Sequence, residues 1–151
     1  MSRKFEDYFS ELQTDMVSIC LEYVKNQGDN IYIYCSYENN MASAGFFYKI
    51  NGRLVERHKI DKVLPNCDSS VFMQKEVMKI LMDDLKKIKG VCDEFERPMP
   101  TEIKLSYDIK NNSLNAKYSY DLVHSIDSEK TASDIEMEWF KELEEISLSE
   151  N

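Results

Sequence analysis

His58 and His124 are the only histidines in the chain. A cysteine–histidine nucleophile or a thiolate–imidazole metal site would have to rest on them together with Cys20, Cys35, Cys67 and Cys92. A thiolate beside an imidazole is a nucleophile, and clustered thiolates and imidazoles hold zinc. Neither arrangement is spaced here. There is no CxxC pair, and the two histidines fall in different predicted hairpins without ligand spacing to any cysteine or carboxylate. Cys35 and His58 can approach from neighbouring strands, yet nothing around either residue marks it as activated. Asp83-Asp84 and Glu144-Glu145 are paired carboxylates, but neighbours along a helix point to different sides and make no acid/base pair by spacing. The four glycines form neither GxGxxG nor GxxxxGK, and no GxSxG elbow occurs. This inventory describes a protein that binds rather than catalyses, with no metal and no cofactor.

The distribution of charge is more informative. Residues 121–151 hold ten acids (Asp121, Asp127, Glu129, Asp134, Glu136, Glu138, Glu142, Glu144, Glu145 and Glu150) against Lys130 and Lys141, whereas residues 1–120 hold 18 acids against 17 bases. The body is nearly neutral and the C-terminal segment is a concentrated negative field. Such a field accelerates encounter with a basic partner and opposes binding of nucleic acid. It is also what a solvated acidic helix, kept for solubility, would carry.

The elements that must position these residues follow from apolar periodicity. Phe5, Phe9, Leu12, Met16, Ile19 and Tyr23 recur at steps of three and four, which predicts a first helix over residues 3–25, ended by Gly28 and Asn30. Three strands are predicted over 31–37, 44–50 and 53–60. Asn51-Gly52 closes the second hairpin as a type I′ turn, since both residues tolerate positive φ. A long helix begins after Asp68-Ser69-Ser70, carries Val77, Leu81, Leu85, Ile88, Cys92 and Phe95 on one stripe, and ends by Pro98. Gly90 is a possible break in it, at a cost of up to ~1 kcal/mol. In the next hairpin Ile103, Leu105, Tyr107 and Ile109, then Leu114, Ala116, Tyr118 and Tyr120, share an apolar face opposite a wet one.

After a polar connection over 125–131, Ser133 and Glu136 fit a capping box for a last, acidic helix over about 132–147. The order is α-βββ-α-ββ-α. It predicts one α+β domain over 1–151, with a single antiparallel sheet of about five strands and helices packed on the sheet.

Two surfaces are candidates for binding a partner. On a helical wheel Ile135, Trp139, Leu143 and Ile146 form an apolar sector, and Asp134, Glu138, Glu142 and Glu145 gather beside it. Like charges at this spacing disfavour the helix by a few tenths of a kcal/mol each, so the ridge does not serve folding. An aromatic anchor rimmed by carboxylates suits an arginine- or lysine-rich partner, with Trp139 as the anchor; alternatively Trp139 is core and the acids are simply solvated. The second surface is the tyrosine-rich sheet. Tyr32, Tyr34 and Phe47 alternate opposite to Ile31, Ile33, Phe46 and Tyr48, so aromatic residues fall on both faces. If helices cover one face, the tyrosines are free for a partner or a small ligand in a pocket with Tyr37; if both faces are covered, they are core.

A chain of 151 residues with 42% hydrophobic and 31% charged residues reads as one globular domain. No apolar run approaches the ~18 residues of a membrane span, and MSRKFEDYFSEL is amphipathic and acidic, unlike a signal peptide. The expectation is a cytoplasmic protein whose cysteines are small buried hydrophobes kept reduced.

The run IYIYCSYE (31–38), FFYKING (46–52), the long helix after DSSVF, the hairpin IKLSYDIKNNSLNAKYSYD (103–121) and the acidic helix around EMEW (136–139) together resemble the YezG-like immunity proteins. The resemblance spans nearly the whole chain in element order and rests on aromatic strand patterns. It implies a cytoplasmic antitoxin of the EsaG-like kind found in Gram-positive bacteria. Such proteins bind the C-terminal nuclease domain of a toxin secreted by the type VII system. The family carries no catalytic motif, so no catalytic residue is carried over. A secretion chaperone that holds such a partner without inhibiting it is the alternative.

Overall fold

The computed structural model describes residues 4–121 and 130–149. Helix α1 (Phe5–Tyr23) turns Met16, Val17, Cys20 and Tyr23 inward. Met16 and Tyr23 belong to the predicted stripe, whose Phe5, Phe9, Leu12 and Ile19 are only partly buried against the core. Its exit is made by Lys25 and Asn26 in the left-handed region and by Gly28 at φ 107°, a bend that delivers the chain into the sheet. Helix α3 (Val71–Glu94) starts where predicted: the Ser70 hydroxyl accepts from the Met73 amide at 3.3 Å and satisfies one of its free N-terminal donors. Gly90 does not break it. Its buried stripe of Val77, Leu81, Leu85, Ile88 and Cys92 runs continuously along the helix.

Five antiparallel strands form one sheet in the order β3-β2-β1-β4-β5. They are β1 (Asn30–Glu38), β2 (Met41–Ile50), β3 (Arg53–Glu56), β4 (Glu102–Asp108) and β5 (Ser113–Ser119). The α+β class and the α-βββ-α-ββ-α order are as read from the sequence. Strand β1 is central, with Ile33 opposite both Phe46 and Leu105. Asn51 and Gly52 both have positive φ (53° and 80°), which makes the tight turn between β2 and β3.

The strand expected over 53–60 is shorter than predicted. It ends at Glu56, and the chain passes through a 3-10 turn (Arg57–Lys59) into the one-turn helix α2 (Ile60–Val63). The reason is local. Ile60 is fully buried, the Tyr23 hydroxyl donates to the Arg57 carbonyl at 2.9 Å, and the Arg57 side chain leaves the strand to reach other partners. A straight strand would satisfy none of these.

Helices cover both faces of the sheet. Ile31, Ile33, Cys35, Phe46, Tyr48, Ile103 and Leu105 face α1 and α3 and make the main core. Tyr32, Tyr34 and Phe47 face the other way and pack under α4 (Ala132–Ser149). The four cysteines are free and buried, as expected. The face expected to be wet on the β4–β5 hairpin is dry at one point: Glu102 is buried and accepts from the Tyr34 hydroxyl at 2.7 Å. On the opposite face β5 is only partly covered, leaving Leu114, Tyr118 and Tyr120 exposed. His124 and most of the polar connection expected over 125–131 lie outside the described residues.

Candidate partner-binding surface

Helix α4 opens with a reciprocal cap two residues earlier than Ser133 and Glu136 would place it. The Asp134 amide donates to Thr131 Oγ1 at 3.2 Å and the Thr131 amide donates to Asp134 Oδ2 at 2.9 Å. That amide holds the Asp134 carboxyl below the usual carboxylate range. Of the four acids read as a ridge, Asp134 is therefore also a cap.

Three contacts set the helix's rotation. Trp139 and Phe140 insert against Phe47, with ring centroids 5.3 and 5.2 Å away, and Trp139 meets Tyr32 edge-on at 5.6 Å. Glu136 turns toward the sheet and pairs with Arg57 Nη1 at 3.0 Å, while the same guanidinium donates to the Phe46 carbonyl at 3.2 Å. At the far end the Ser147 hydroxyl donates to the Gly52 carbonyl at 2.8 Å. Burial pushes the Glu136 carboxyl up, and Arg57 pulls it back.

With those faces committed, Glu138, Glu142 and Glu145 point to solvent along with Asp134. Lys130 Nζ lies 2.8 Å from Glu138 Oε1, and Lys141 is also exposed. Met137, Ile146 and Leu148 are exposed large apolar residues on the same helix. Ile146 is therefore not in the buried sector that the wheel assigned to it, because Ser147 takes the inward position at that turn. An outer surface of carboxylates interrupted by three apolar side chains can attract a cationic partner at long range and desolvate against it on contact.

The three aromatic residues proposed as contacts are placed otherwise. Trp139, Tyr32 and Tyr34 are 7%, 8% and 1% exposed and pack on one another. Tyr32 and Tyr34 lie beneath Trp139 rather than lining an open pocket, so a partner meets them only through α4. Lys104 Nζ approaches the Trp139 ring to 5.4 Å, closing the cluster on the β4 side.

Other combinations weighed from sequence do not assemble. Cys35 points into the core, where burial pushes its thiol up to about 12, while His58 is half-exposed beside Glu56 at 3.5 Å. Asp83 and Asp84 diverge, but Asp84 finds a different partner. It is 3% exposed between α3 and α1, its Oδ2 accepts no hydrogen bond, and it faces Asp15 of α1. Burial, then the shared proton and charge of Asp15, push the Asp84 carboxyl up to about 7, with Lys87 opposing and Asp83 adding to the rise. The signal was in the sequence: residue 84 falls three after Leu81 and four before Ile88, on the apolar stripe.

No described helix is long and apolar enough to cross a membrane, and no group of three potential metal ligands occurs among the described residues. Comparison with protein-family models and with curated proteins finds no match to this chain.

Proposed function

We propose that this chain is a non-catalytic cytoplasmic immunity protein that binds the nuclease domain of a secreted bacterial toxin and blocks it. The observation that carries this reading is the outer face of α4, where Asp134, Glu138, Glu142 and Glu145 are exposed on a helix whose rotation is fixed from beneath by Trp139, Glu136 and Ser147. The family resemblance supplies the class of partner. A nuclease cleft binds a polyanion and is accordingly basic, so a rigid acidic surface competes for it. Electrostatic steering brings association to ~10⁸–10⁹ M⁻¹s⁻¹ in favourable cases. Preorganisation adds to affinity, because the helix that carries the carboxylates is already docked on the sheet before contact.

The test is cleavage of DNA by the purified nuclease domain of a toxin encoded beside this chain, with and without an equimolar amount of the protein. Loss of cleavage in a stable complex supports immunity. Undiminished cleavage in a stable complex makes the protein a chaperone, and absence of a complex removes the nuclease as partner.

A further inference from the structure

Strand β5 ends the sheet, and among the described residues no strand pairs with its outer side. An open edge of seven residues is a template for another strand, and natural sheets block such edges with proline, bulges or repeated charge. Here the strand SLNAKYS has no proline and a single lysine.

Its sequence is close to a palindrome about Ala116. Laid antiparallel on a second copy with the two-fold axis through Ala116, Ser113 faces Ser119 of the other copy, Leu114 faces Tyr118, and Asn115 faces Lys117. No like charges are opposed, and each pairing occurs twice, as an isologous contact requires. Sliding the register by two residues toward the C-terminus would instead set Lys117 against Lys117.

The side chains that this register brings together are those left bare. Leu114 and Tyr118 are 39% and 40% exposed on the side of the sheet that α1 covers only in part, and Tyr120 beyond them is 56% exposed. Tyr118 is held in place by Gln13, whose Nε2 donates to its hydroxyl at 2.6 Å, and by Phe9 edge-on at 5.5 Å. A second copy's Leu114 would extend this group without rearranging it.

Charge does not oppose the contact. The acidic helix α4 packs chiefly on β2 and β3, toward the other edge of the sheet. It reaches β1 and β4 through the buried side of Trp139 rather than through its carboxylates. Strands are spaced ~4.8 Å apart, so β5 lies roughly 15–20 Å from β3, beyond a Debye length of ~8 Å at physiological salt.

We propose that two copies of this chain pair through β5, antiparallel about Ala116, to form a continuous ten-stranded sheet with an acidic helix near each end. The inference does not depend on the nuclease reading, and it leaves both α4 surfaces free.

The test is sedimentation of the full chain across micromolar to millimolar concentrations, comparing the wild type with Asn115→Lys and Asn115→Glu. Asn115 is exposed, so both variants should keep the wild-type thermal melt. The wild type is expected as a dimer in reversible equilibrium. Asn115→Lys opposes Lys117 twice and should weaken the dimer about five-fold or more, while Asn115→Glu should tighten it by a similar factor. A wild type that stays monomeric throughout overturns the proposal and leaves the edge to a strand of another protein. A dimer that both variants leave unchanged, or shift in the same direction, also overturns it, because the contact then lies elsewhere.

Discussion

The Glu136 carboxylate lies directly over the α-carbon of Gly45 and meets Arg57 Nη1 at 3.0 Å, so that three elements close at one point. A methyl group built on Gly45 would stand 1.9 Å from Glu136 Oε1. The glycine is thus a space requirement of the ion pair rather than a turn.

Gly45→Ala should displace Glu136 and leave the Arg57 guanidinium short of a partner. The expected loss is about 1–3 kcal/mol in urea denaturation. Arg57→Ala should cost a similar amount, and the double variant less than the sum, because both remove one interaction. Additive losses would show that the two sites act independently.

Charge reversal on the ridge separates folding from binding. Glu138→Lys, Glu142→Lys and Glu145→Lys combined should leave the thermal melt within about 0.5 kcal/mol of wild type, since these residues are exposed. Association with the nuclease domain should slow by about ten-fold or more and lose most of its salt dependence. Unchanged kinetics would remove the ridge from the interface.

Trp139→Ala should behave as a core truncation. Removing an indole that touches Phe47, Tyr32 and Tyr34 is expected to cost about 3–5 kcal/mol. Trp139→Phe should recover much of that stability. Were Trp139 chiefly a contact for a partner, both variants would retain wild-type denaturation midpoints and differ only in binding.

The Asp84–Asp15 contact makes stability depend on pH in a defined direction. Asp84 has an ordinary value of 3.8 and is raised to about 7 in the fold. Between those values the folded chain holds a proton that the unfolded chain releases, so stability falls as pH rises from about 4 to 7. Asp84→Asn removes the proton requirement. The variant should match wild type near pH 4 and exceed it at pH 8, by on the order of 2 kcal/mol. Equal pH profiles from thermal melts would show that Asp84 ionises freely in place.

Most of the fold was legible because most elements bury one face. The stripe from Val77 to Cys92 and the alternation from Ile103 to Tyr107 each report a single period, and the structure follows both. Strand β1 was legible as a strand but not in its surroundings. It is apolar on both faces, and a sequence that alternates tyrosine with isoleucine does not say whether one layer or two will cover it. That ambiguity decided the fate of Tyr32, Tyr34 and Trp139, which proved to be one buried cluster. The cap of α4 was misplaced for a related reason. Ser133 and Glu136 have capping-box spacing, but the pull of Arg57 on Glu136 comes from a residue 79 positions earlier in the chain, which local pattern does not record. Arg57 left its strand for the same contact, so a single long-range pair accounts for two of the departures.

Every aromatic side chain that α4 covers precedes it in the chain, and this imposes an order on synthesis. At about 5–20 residues per second, Phe47 is made roughly 5–20 s before Trp139. Strand β5 is complete at Ser119, so for roughly 1–4 s before Trp139 is made α1, α3 and the five strands are present without α4, and the opposite face of the sheet presents Tyr32, Tyr34 and Phe47 uncovered. The nascent chain therefore passes through a stage with a sticky aromatic face and no acidic helix. Docking of α4 both seals that face and raises the negative surface, so the protein gains its charge at the moment it loses its stickiness.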